Sequence, residues 1–213
     1  MALMLNQLGT LLPRQGERPP WCARTAALRY AAWGWPLAPD PRLAATTDLE
    51  QVFAAWSRLP GAPIYAACGS AFEVVEARAA VGRAALARLD RLCVPVGPVL
   101  RFSMLNPAGS AVSGGVAESA ADEAAGGCQE RIAFLVRPGT TQVLRTLLDR
   151  ERTDAVLLGE GDHCELPTTL QAEPRSAGAV HWLRLPSTAR PALPSAHAIL
   201  GALALSPHAV FSR

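Results

Sequence analysis

Apolar residues recur at helical spacing in "TTDLEQVFAAWSRLP", where Val52, Phe53, Trp56 and Leu59 line up. Thr47, with Glu50 three residues on, has the form of a capping box and predicts the start of that helix. "RTAALRYAAWGWPLAP" predicts an earlier helix, stopped at Gly34, and a short strand. "ARAAVGRAALARLDRL" predicts a helix with Val81, Leu86, Leu89 and Leu92 on its apolar side. "GTTQVLRTLLDRE" predicts one capped by Thr140 or Thr141, and "PSAHAILGALAL" a closing one. Between these lie short β-rich runs. "APIYAACG" and "AFEVVEA" are divided by Gly69-Ser70, followed by "GPVLRF", "ERIAFLV", "DAVLL", "HCELP" and "GAVHWLRLP". Helices and strands alternate without a strict β-α-β period, which predicts α+β, or mixed α/β, rather than a doubly wound sheet.

The chain has 213 residues, half of them hydrophobic, enough for one domain with a core. Trp35, Phe53, Trp56, Val74, Phe134 and Trp182 sit on the apolar phase of their elements and are expected to share that core. Residues 103–127 are rich in Ala, Gly and Ser and predict a flexible insertion between two strands. The expected organisation is an extension over 1–25, a domain over 26–205 carrying that insertion, and a tail over 206–213.

A net charge of +2 gives no support for a strongly basic nucleic-acid surface. All 20 basic residues are Arg, which excludes Schiff-base chemistry and a P-loop lysine. Cys22, Cys68, Cys93, Cys128 and Cys164 are scattered singly and odd in number, against both a disulfide framework and a structural zinc site. No basic n-region precedes the first apolar residues, so no secretory signal is expected. "AHAILGALAL" is about half the ~20 residues that span a bilayer, so no membrane partner is expected either. These readings predict a soluble, reduced, cytoplasmic protein.

The sequence has no G-x-S-x-G, no P-loop, no H-E-x-x-H and no G-x-G-x-x-G after a strand. His181, His197 and His208 stand singly and read as surface or satisfied core residues. "GEGDHCELPTT" gathers Asp162, His163 and Cys164 between glycines and a proline. It reads first as a turn entering a half-buried strand with Cys164 inward; a nucleotide contact by His163 and a metal site are the alternatives.

The ordered series "AALRYAAWGWPLAP", "AATTDLEQVFAAWSRLPGAPIYAACG", "AFEVVEA", "GPVL", "RIAFLVRPGT", "GDHCELPTT" and "VHWLRLP" resembles the bifunctional DNA primase/polymerase (prim-pol) N-terminal domain family. The likeness is to the short, stand-alone members of that archaeo-eukaryotic primase-like group. The resemblance implies a primase-polymerase-like domain with a central, mostly antiparallel sheet flanked by helices. It also implies two acids on one strand, a histidine on a second and an acid on a third, holding two divalent ions for nucleotidyl transfer. Acids at i and i+2 share a face of a strand, whereas Glu73 and Glu76 are three apart and predict opposite faces. With Glu76 as the first acid, the second position is Arg78. Ala133 falls where the histidine is expected, and Asp154 at the last acid.

Glu73, Glu76 and Asp154 are thus vestigial catalytic candidates, with Glu76 and Asp154 the metal candidates and Arg78, Arg131 and His163 the nucleotide- or nucleic-acid-binding ones. A basic groove would be lined by Arg78, Arg83, Arg101, Arg131 and Arg137. The resemblance implies a degenerate, inactive domain that binds nucleotide, single-stranded nucleic acid or a protein partner and needs no cofactor. The alternatives are an active nucleotidyltransferase dependent on Mg or Mn, and a ligand-free scaffold.

Overall fold

A computed structural model describes residues 23–105, 128–141, 144, 155–169, 180–186 and 191–205. Two antiparallel sheets organise these residues. The chain enters through α1 (Ala23–Ala32), β1 (Leu37–Ala38), α2 (Leu49–Arg58) and β2 (Ile64–Ala67). It continues through β3 (Glu73–Arg78), α3 (Ala79–Arg91), β4 (Val99–Leu105) and β5 (Cys128–Val136). β6 (Val156–Leu158), β7 (His163–Leu166), β8 (His181–Arg184) and α4 (Ala196–Ala204) follow. The small sheet has the order β1-β2-β7 and the large one β6-β3-β5-β4-β8. β3 and β4 both run antiparallel to β5, so they are parallel to each other and α3 connects them. The helical residues Thr141 and Leu144 lie between β5 and β6, which returns beside β3. This is the strand order of a split β-α-β unit, extended at one edge by β8. The helices and antiparallel sheets agree with the expected α+β class.

Pleating sends alternate residues of each strand to opposite faces. "RIAFLV" is apolar in every position after Arg131 because both faces of β5 are covered. On one face, Val74, Ala133, Leu135, Leu100 and Trp182 pack with α1 and the small sheet. On the other, Val75, Ile132, Phe134 and Val136 pack with α3 and α4. The single core expected from sequence is therefore two. Trp35, Trp56, Val74 and Trp182 share the first, and Phe134 belongs to the second. Phe53 belongs to neither. It is 50% exposed beneath the Arg24 guanidinium, 5.0 Å from the ring centre, because Val52 and Trp56 already occupy the inward line of α2.

Local chemistry explains three further differences. The cap of α2 is Asp48 rather than Thr47, its carboxylate accepting from the backbone N–H groups of Glu50 and Gln51 at 2.8 and 3.1 Å. The buried line of α3 is Ala79, Gly82, Ala85 and Leu89, while Leu92 is exposed. Small residues let α3 approach β5 closely: a Cβ on Gly82 would lie 2.8 Å from Ile132 Cβ. Residues 103–105 continue β4 rather than opening a loop, and 23–25 of the expected extension already belong to α1, whereas 1–22, 106–127 and the expected tail lie outside the described residues.

An aromatic cluster ties the first core together. Tyr30 stacks on Trp35 with ring centres 5.5 Å apart and meets Trp182 edge-on at 6.2 Å. Its hydroxyl donates to the Pro167 carbonyl at 2.9 Å and accepts from Trp182 Nε1 at 3.0 Å. Burial raises the Tyr30 pKa far above the ordinary phenol value, so the hydroxyl stays protonated as the donor to Pro167.

Candidate functional site

Glu76 lies in the middle of β3, on the face turned toward α1 and the small sheet. Its direct cross-strand partner on β5 is Ala133, and on β6 it is Val156. Arg78, two residues on, shares this face and stands opposite Arg131. The ladder thus brings together the three positions that the resemblance assigns to two acids and a histidine, occupied here by Glu76, Arg78 and Ala133. Arg131 reaches diagonally to Glu76, with Nε 3.5 Å from Oε2. The two side chains are 9% and 13% exposed, so the pair is almost fully withdrawn from water. Burial raises the Glu76 carboxyl above its ordinary value, and the Arg131 charge and contact only partly offset this. A carboxylate with its own buried guanidinium is a poor place for a second cation.

Glu73 faces the opposite side of the sheet, as its spacing predicts. It is 4% exposed, and one carboxylate oxygen accepts from the backbone N–H groups of Thr140 and Thr141 at 3.0 and 2.9 Å. Those N–H groups open the helical residues after β5, so a side chain from β3 caps them instead of a threonine hydroxyl. Thr140 Oγ1 donates to the Arg137 carbonyl instead. Asp154 lies outside the described residues.

The Gly-rich stretch before β7 is a turn entering a strand. The Asp162 carboxylate accepts from the Gly159 N–H at 2.9 Å, and the Asp162 N–H donates to the Gly159 carbonyl at 3.0 Å. Gly161 has φ +89°, which favours glycine. A Cβ on Gly159 would come within 2.6 Å of Thr141 Oγ1. Along β7, Cys164 and Leu166 are buried and point toward the large sheet, as expected for Cys164. His163 therefore projects from the other face of the small sheet, away from Glu76.

The five arginines expected to line one groove are divided. Arg78 and Arg131 share the Glu76 face. Arg83 and Arg101 lie on the helix side, both paired with Glu130: Arg83 Nη1 is 3.4 Å from it, and Arg101 Nη2 makes a closer contact. Arg137 is exposed beyond the end of β5. Neither the role of Glu130 nor an acidic partner for Arg131 follows from the sequence pattern alone. The adjacent Glu130 and Arg131 must point to opposite faces of a strand, a signal present in the sequence; their partners, from distant segments, were not.

Among the described residues, no group of three or more His, Cys, Asp or Glu is placed to hold a metal, and no helix is long and apolar enough to cross a membrane. The fold and site define an α+β protein of antiparallel sheets with an internally neutralised acid on a sheet face. Comparison with protein-family models, with curated proteins and with solved structures finds no match.

Proposed function

We propose that the chain is a degenerate primase-polymerase-like domain that binds nucleotide or single-stranded nucleic acid without catalysing its synthesis. The observation that carries this reading is the occupancy of one ladder. Glu76 stands beside Ala133, Arg78 follows where a second acid would share the metals, and Arg131 supplies the counter-charge from within. Nucleotidyl transfer with two ions depends on carboxylates that hold those ions against the substrate phosphates. A cationic side chain in that place repels the ions but attracts phosphate. Phe102 on β4 lies in the same row as Arg131 and Arg78, and an aromatic ring beside arginines on a sheet face suits an unstacked base.

The test has two readouts. Labelled single-stranded oligonucleotide and nucleoside triphosphate are titrated into the full chain, and primer extension is followed with Mg²⁺ and with Mn²⁺. Binding that weakens in Arg78→Ala, with no extended product, is the expected result. Template-dependent product that disappears in both Glu76→Ala and Asp154→Ala would establish the enzyme instead. Absence of any binding would leave a ligand-free scaffold.

A further inference from the structure

Two buried thiols have no role in that reading. Cys164 lies on β7, paired with Ala66, and Cys68 follows β2 with its N–H donating to the Asp162 carbonyl at 2.9 Å, which continues the ladder. The alternation of Ile64, Ala66 and Cys68 turns Cys68 to the same inward face as Cys164. Both are 5% exposed and join the same core. They are diagonal neighbours on adjacent antiparallel strands, a relationship that holds Cα atoms about 7–8 Å apart and Cβ atoms somewhat closer. A disulfide needs Cβ atoms about 3.5–4.5 Å apart, so this spacing disfavours one. Two metal–sulfur bonds of about 2.3 Å each let the sulfurs stand up to ~4.6 Å apart, which the diagonal accommodates.

We propose that Cys68 and Cys164 form a two-thiolate site for a soft monovalent cation of the Cu(I) class. Thiolates select soft ions, and a pair suffices for an ion that accepts two ligands, whereas zinc asks for four. Binding converts two thiols and one cation into a bis-thiolate complex and releases two protons to solvent, with no change of oxidation state. β7 is the edge strand of the small sheet, where local opening admits the ion.

The experiment uses the full chain with Cys22, Cys93 and Cys128 replaced by Ser. Cu(I) is supplied as its complex with a chromophoric chelator. One equivalent should leave the chelator per chain, two protons should appear, and Tm should rise. Cys68→Ser and Cys164→Ser, checked for folding by circular dichroism, should each abolish the transfer. X-ray absorption on the loaded parent, which needs no further variant, should show two sulfur neighbours. No transfer to the parent, transfer that persists in either variant, or a shell of anything but two sulfurs would overturn the proposal.

Discussion

Arg131 Nε stands 3.5 Å from Glu76 Oε2 across the β3–β5 ladder, with both side chains nearly withdrawn from water. Removing one member of such a pair strands the other. Arg131→Leu is therefore expected to cost about 3–5 kcal/mol, while the double change Glu76→Leu, Arg131→Leu recovers most of it. Urea unfolding of the two single variants and the double one measures the coupling. Additive single effects would show that the pair is not energetically linked.

The same carboxyl gives a pH signature. Its folded pKa is raised above the ordinary 4.5, so ionised Glu76 disfavours the fold. That cost is fully present above the folded pKa and fades as pH falls through it toward about 4.5. Relative to Glu76→Gln, the native chain should gain stability between pH 7 and pH 4.5. A difference in unfolding free energy that stays constant over this range would contradict the burial of this charge.

Tyr30→Phe removes a hydroxyl that serves both the Pro167 carbonyl and the Trp182 indole. Two buried polar groups lose their partner, so the loss should be about 1–3 kcal/mol although the ring remains. Thermal unfolding followed by tryptophan fluorescence would register both the lower Tm and the altered surroundings of Trp182.

Gly82→Ala places a methyl 2.8 Å from Ile132 Cβ, where neither α3 nor β5 can yield cheaply. Overpacking of this kind costs about 1–3 kcal/mol, against the gain Ala normally brings inside a helix. Adding Ile132→Val removes only Cδ1, 3.3 Å from that methyl, and keeps the Cβ at 2.8 Å, so it should restore little of the loss. A stabilised Gly82→Ala would mean that α3 stands further from the sheet.

Glu73→Ala should destabilise by about 1–2 kcal/mol through the uncapped N–H groups of Thr140 and Thr141. Glu73→Gln keeps an acceptor and should cost less. Hydrogen exchange at these two amides distinguishes a cap from a remote effect.

Local periodicity was enough to locate most of the elements. The β3 run "EVVEAR" and the β5 run "RIAFLV" are legible as strands because side-chain direction has a period of two, which also sends Glu73 and Glu76 to opposite faces. The cap falls on Asp48, one residue after the expected Thr47, because both are competent caps and only backbone geometry selects between them. The division of Phe134 from Val74 into different cores depends on which face each element covers, and no local pattern carries that.

The sequence by itself determined the α+β alternation, the absence of an acid-x-acid pair on β3 and the inward direction of Cys164. Each follows from residue identity and a fixed backbone period. Tertiary structure alone decided that Arg131 neutralises Glu76, that Glu73 caps a segment 67 residues away, and that His163 faces away from the Glu76 side. Those outcomes rest on strand order and register, which bring distant segments within a few ångströms and which no spacing along one segment encodes.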